Sequence, residues 1–175
     1  VSSAALLAAP TAEAALDQES PFDIGFTQFN ERPVAQLFVV GLSGQLESVE
    51  LFASQLDPTG NLLVSIYEVV DGVLPLPGTA APLATGSLPL AQMPSSAAGG
   101  TGPAFVRVDL DVALPVDAGE TLALVVQRDM GGQSGAGGLA WFGNGGLYAE
   151  GVAVRFDPGG LVFCTFPSVC EPHVE

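Results

Sequence analysis

The chain has 175 residues, of which 19 are acidic and only 4 are basic, giving a formal net charge of −15 at neutral pH. So few cations cannot form the basic face that neutralises nucleic-acid phosphates, and an anionic membrane surface would repel the chain. Hydrophobic residues make up 48% and charged residues 13%, which excludes a disordered acidic polymer. The length fits one domain, and we expect no nucleic-acid partner.

Residues 1–20 form an apolar N-terminal segment that reads like the end of a secretory signal, with small residues around Glu13. It is either a retained signal or a structural arm. Pro10 interrupts any long helix, and no apolar run is long enough to span a membrane. Because exposed large apolar side chains are costly, we expect an arm to pack on another subunit. Its candidate assembly residues are Val1, Ala4, Leu6, Leu7 and Leu16.

Residues 21–175 read as a β domain, with short alternating apolar segments separated by turn residues. The clearest strand starts at Leu62, where Leu62, Val64 and Ile66 share one face. Strands are predicted at 22–29, 34–40, 46–55, 62–70, 83–90, 105–110, 121–127, 139–142, 152–156 and 161–166. The segment at 83–90 is expected at a sheet edge, because Pro89 limits pairing. Long irregular connections favour an antiparallel two-sheet β-sandwich of jelly-roll type.

Residues 46–126 carry a series of turn and core patterns. These are PTGN at 58–61, VSIY at 64–67, PG at 77–78, LAT at 83–85 and AGETLAL at 118–124. The series resembles a β-sandwich module found in secreted and surface-anchored proteins of bacteria. The resemblance implies a sandwich fold and export, but no catalytic signature. Leu122 departs from the pattern, since an aromatic residue is usual there.

Cys164 and Cys170 lie close in sequence, with Pro167 between them to turn the chain back. We expect a disulfide between them, contributing roughly 2 kcal/mol on the chain-entropy model. Zinc would need more Cys or His ligands. A disulfide indicates an oxidising compartment, so an extracellular or cell-surface location is expected; a reduced cytosolic pair is the alternative.

No motif predicts an enzyme. The single histidine, His173, lies near the C-terminus, where a catalytic imidazole is seldom held rigidly. Paired carboxylates for glycoside hydrolysis stay open, because the sequence does not give their separation. No cofactor or metal site is expected, although turn carboxylates could hold a structural calcium ion. Those candidate ligands are Asp57, Asn61, Asp109, Asp111 and Asp157.

Two functions from different classes remain. The first is an extracellular structural protein whose arm adds a strand to a neighbouring copy, making a homo-oligomer, filament or layer. The second is a secreted carbohydrate-binding module, in which Trp141, Phe142 and Tyr148 form a stacking platform beside the turn at 143–146. The preferred interpretation of Trp141 by itself is a core residue.

Overall fold

The computed structural model describes residues 25–29, 33–70, 79–130, 138–143, 153–157, 160–165 and 169–172, with the side chains of 33–70, 79–130 and 138–140. Within these ranges the chain is all β, with no α-helix and one short 3₁₀ turn at Leu90–Gln92, so the predicted class is confirmed. The strands are β1 (Gly25–Phe29), β2 (Val34–Val39), β3 (Gly44–Gln55), β4 (Asn61–Glu68), β5 (Ala84–Pro89), β6 (Ala104–Val116), β7 (Thr121–Asp129), β8 (Leu139–Gly143), β9 (Ala153–Asp157), β10 (Gly160–Thr165) and β11 (Val169–Pro172).

The strands form one antiparallel sheet in the order β1-β8-β3-β6-β5-β4-β7-β2-β9-β10-β11. The sheet curls into a half-barrel. Leu139 of β8 and Val34 of β2 lie far apart in this order, yet they belong to one buried hydrophobic cluster. The curl therefore encloses the core, and the two-sheet jelly-roll arrangement stays a prediction.

Strands β4 and β7 lie at the centre of this core. Leu62, Val64 and Ile66 are fully buried on one face of β4, as their alternation predicts. The opposite face is also covered, because Tyr67 packs in a second buried cluster with Ala123 and other residues of β7 and β2. Burial on both faces explains why these strands are rich in β-branched and aliphatic residues.

Strand β6 links the two parts of the sheet. It pairs with β3 along most of its length, but the register shifts between Leu46 and Ser48. At this irregularity β6 reaches β5 through the pair Gly86–Leu110. A Cβ atom on Gly86 would overlap the Asp109 backbone carbonyl, so glycine permits the close approach.

Three features differ from the sequence predictions. Strand β6 continues to Val116, because pairing with β3 resumes beyond the irregularity. Strand β5 lies between β4 and β6 and not at an edge, although its pairing with β6 is limited to one residue pair. Strand β11, which is short and follows Pro167, was not predicted. The predicted arm, 1–20, lies outside the described residues.

Candidate functional site

The structure describes the positions of only some of the predicted site residues. Trp141 and Phe142 are consecutive in β8, and consecutive strand positions belong to opposite faces of a sheet. Trp141 is the register partner of Ala53, a core residue that is 1% exposed. The side chains of Trp141 and Phe142 are outside those described, so the stacking platform stays a prediction. Tyr148 and the five arm residues lie outside the described residues: Val1, Ala4, Leu6, Leu7 and Leu16.

Among the strands that the structure describes, β1 lies at one end of the order, with β8 as its neighbour in the sheet. A terminal strand presents backbone N–H and C=O groups along its outer side, and proteins usually protect such an edge with charge, proline or a bulge. The β1 sequence, GFTQF, contains neither a charged residue nor proline. By composition it is therefore an edge that can accept another strand.

The opposite end of the order is β11, which has a different composition. It contains Glu171 and ends at Pro172, and both residue types limit further strand pairing. Cys170 of β11 is the register partner of Cys164 of β10. Directly opposed residues of antiparallel strands have Cα atoms about 4.5–5.5 Å apart, which is within the range that a disulfide spans.

An aromatic pair lies on the outer face of β3 and β6, away from the main core. The rings of Phe52 and Phe105 have centroids 5.1 Å apart and an interplanar angle of 64°, an edge-to-face contact. Phe105 is 63% exposed, although the neighbouring Val106 is buried. The sequence alone indicated only that Phe52 lies on the same face of its strand as Glu50, because the two residues are two positions apart.

Charged side chains flank the aromatic pair along the same strands. Arg107 Nε donates to Asp109 Oδ1 at 2.6 Å, and both side chains are largely exposed. This hydrogen bond raises the pKa of Arg107 above its usual range, and the charge of Asp109, followed by those of Glu50 and Glu47, adds to the effect. Arg107 is thus surrounded by carboxylates, and the border of the aromatic pair is predominantly acidic.

The turn between β3 and β4 is held by a buried arginine. Arg128 of β7, whose side chain is 1% exposed, donates to Asp57 Oδ2 at 2.9 Å and to the Thr59 carbonyl at 3.0 Å. The Thr59 backbone N–H also donates to Asp57 Oδ1. The pKa of Asp57 is lowered, first by that backbone bond, then by the Thr59 side chain and Arg128. The arrangement fixes the turn and was not predicted.

Three of the carboxylates proposed as calcium ligands form hydrogen bonds with protein groups, and the calcium site stays a prediction. Asp57 accepts from Arg128, Asp109 accepts from Arg107, and Asp111 accepts from the Thr85 hydroxyl at 2.6 Å. Among the residues with described positions, no three acidic, histidine or cysteine side chains come together as a metal site. Asn61 begins β4, and the backbone of Asp157 ends β9.

Comparison with models of known protein families gives no match, and curated proteins show no significant sequence similarity to the chain. The resemblance of residues 46–126 to an exported surface module therefore stays a prediction. In the part of the chain that the structure describes, no helix has the length and apolar character needed to cross a membrane.

Proposed function

We propose that the chain is an extracellular structural protein in which residues 1–20 of one copy add a strand to the β1 edge of the next. The observation that carries the proposal is the composition of β1, a terminal strand without charge or proline. Such an edge offers unsatisfied backbone donors and acceptors to an incoming extended segment. Because donor and acceptor are different surfaces, the contact is head-to-tail and leads to a filament or layer.

Charge favours the arm as the incoming segment. The chain carries −15 overall, so most surfaces of two copies repel each other. Residues 1–12 contain no charged side chain, and Glu13 is the first. The arm is therefore a segment that can approach a second copy with little electrostatic cost. Leu6 and Leu7 supply apolar area, each worth roughly 1.5–3 kcal/mol when buried.

The proposal includes the two-sheet jelly-roll arrangement. Strands β1, β8, β3 and β6 form one group, and the other seven form a second, joined by the single pair Gly86–Leu110. One hydrophobic cluster draws residues from both groups, including Leu51 of β3 and Leu62 of β4. These observations support two layers that pack face to face across a shared core.

Export is part of the same proposal. The resemblance to surface modules and the opposed Cys164 and Cys170 both favour an oxidising, extracellular setting. A catalytic role is not proposed.

The test uses the full chain with charges placed in the arm. The double variant Leu6→Asp, Leu7→Asp is compared with Gln18→Asp, Ser20→Asp, which has the same net charge but spares the apolar residues. Burying two leucines corresponds to roughly 3–6 kcal/mol, so association of the first variant should weaken by about 100-fold or more.

Sedimentation velocity and electron microscopy measure the outcome. The intact chain and the Gln18, Ser20 variant should form polymers, while the Leu6, Leu7 variant should stay monomeric. An intact chain that remains monomeric at high concentration, or equal polymerisation of both variants, contradicts the proposal.

A further inference from the structure

Two aspartate–proline peptide bonds occur in the chain, Asp57–Pro58 and Asp157–Pro158. Acid breaks this linkage more readily than other peptide bonds, because the aspartate carboxylate can attack its own main-chain carbonyl carbon and the tertiary amide nitrogen of proline leaves easily. The first bond lies in the turn between β3 and β4, where side chains are described, whereas Pro158 lies outside the described residues. The structure therefore defines the surroundings of the first bond.

The cleavage needs only the chain's own groups, a proton and one water molecule. A carboxylate oxygen of Asp57 bonds to the Asp57 carbonyl carbon, and the bond from that carbon to the Pro58 nitrogen breaks. The nitrogen keeps the electron pair, takes a proton from solvent and leaves as a secondary amine. Water then opens the cyclic anhydride, which restores the side-chain carboxyl and creates a new C-terminal carboxyl. The reaction therefore requires a carboxylate oxygen that is free to act as a nucleophile.

Hydrogen-bond donors hold both carboxylate oxygens of Asp57. Oδ1 accepts from the Thr59 backbone N–H at 2.9 Å, and Oδ2 accepts from Arg128 Nη2 at 2.9 Å. The same Arg128 nitrogen donates to the Thr59 carbonyl at 3.0 Å, and the Arg128 side chain is 1% exposed, so its position is fixed by burial. Hydrogen bonds to an ionised oxygen withdraw electron density from it and fix its direction. Neither oxygen is thus free to attack the carbonyl carbon.

The backbone is anchored on both sides of the bond. Before it, the Leu56 N–H donates to the Gly138 carbonyl at 2.9 Å. After it, the Gly60 carbonyl accepts from the Leu90 N–H at 3.0 Å. An amine released between these anchors stays beside the anhydride and can attack it again, because the two reacting groups are held close together. The fold therefore also favours re-formation of the bond.

We infer that Asp57–Pro58 is a latent self-cleavage site that Arg128 keeps inactive. The Arg128 guanidinium and the Thr59 N–H, together called the turn clamp, withhold both Asp57 oxygens from the carbonyl carbon. Cleavage would divide the chain into residues 1–57, which contain β1 to β3, and residues 58–175, which contain β4 to β11. The inference involves neither the arm nor the β1 edge, so it is independent of the proposed function.

The test follows cleavage of the full chain in mildly acidic buffer, below the unfolding temperature of every variant. The variant Arg128→Leu removes the turn clamp, and Arg107→Leu is the matched control that removes an exposed cation. Gly86→Ala is a second control, because its methyl group meets the Asp109 carbonyl and lowers stability with the turn clamp intact. Intact-mass spectrometry measures the fragments, and far-UV circular dichroism checks that each sample is folded.

Fragments 1–57 and 58–175 should form about tenfold faster or more in Arg128→Leu, the factor that corresponds to losing one charged hydrogen bond to the nucleophile. The intact chain, Arg107→Leu and Gly86→Ala should all cleave at similar, slower rates. Equal rates in Arg128→Leu and the intact chain overturn the inference. Equal rates in Arg128→Leu and Gly86→Ala also overturn it, since general loosening of the fold then accounts for the cleavage.

A comparison of folded and unfolded protein covers the case in which Arg128→Leu does not fold. In urea the intact chain loses the turn clamp, so cleavage at Asp57–Pro58 should be at least about tenfold faster than in the folded chain. The same rate in both states overturns the inference. Whether the samples contain polymers bears on the proposed function alone.

Discussion

Replacing Arg128 by leucine should destabilise the fold far more than the same change at Arg107. Arg128 is 1% exposed at its side chain and holds Asp57 and the Thr59 carbonyl at 2.9 and 3.0 Å. Arg107 also pairs with a carboxylate, but its side chain is 54% exposed. The two variants thus remove one cation each, from a buried and from an exposed ion pair.

The magnitude follows from the bonds that Arg128 makes. Two hydrogen bonds of a charged donor are worth about 1.5–3 kcal/mol each, and the buried apolar surface of leucine offsets part of their loss. The expected net loss for Arg128→Leu is about 2–4 kcal/mol. For a chain of this length, that corresponds to a fall in Tm of roughly 4–16 °C. The exposed pair at Arg107 is screened by water, and its loss should leave Tm unchanged within error.

Differential scanning calorimetry of the intact chain and the two variants measures these values. Far-UV circular dichroism checks that the β structure is retained before heating. Equal Tm values for Arg128→Leu and Arg107→Leu would refute the reasoning, because burial would then not decide the contribution of the ion pair.

Three further predictions follow from particular contacts. The pKa of Asp57 is lowered in the folded state, so the stability that Asp57 contributes is present above its unfolded-state pKa and is lost as pH falls through its folded-state pKa. The variant Asp57→Asn should therefore show a flatter decline of Tm below about pH 4 than the intact chain. An unchanged slope of Tm against pH would contradict this. Gly86→Ala should cost about 1–3 kcal/mol in a denaturant titration, since its methyl group meets the Asp109 carbonyl, and a neutral effect would show that β5 and β6 can separate freely. Cys164 and Cys170 should be bonded, so the intact mass should rise by two hydrogens on reduction; free thiols in fresh, unreduced material would refute the bond.

Local pattern predicts the strands of this chain where both faces follow a regular alternation. Leu62, Val64 and Ile66 share a face and are fully buried, as the alternation predicts. The pattern fails in β6, where the irregular pairing opposite Leu46 and Ser48 interrupts the alternation and hides the continuation to Val116. Register irregularities depend on the partner strand, and a single strand's sequence does not contain them.

Features that depend on strand order could not be predicted from the sequence. The edge position of β1 and the Phe52–Phe105 contact both require knowing which strands are neighbours. The burial of Arg128 was indicated by the sequence, because Arg128 lies on the same apolar face of β7 as Leu122 and Val126. A cation at such a position needs a buried partner, but Asp57, far away in sequence, could not be chosen from the other acidic residues.

Hydrogen exchange at β1 tests the central claim most directly. Amide exchange of residues Gly25–Phe29 is measured by mass spectrometry in polymers of the intact chain and in the Leu6→Asp, Leu7→Asp variant. Pairing with a neighbour's arm should slow exchange of the outward-facing β1 amides in the polymer but not in the variant. Equal exchange in both samples, with polymers present in the first, would show that the copies assemble through another surface.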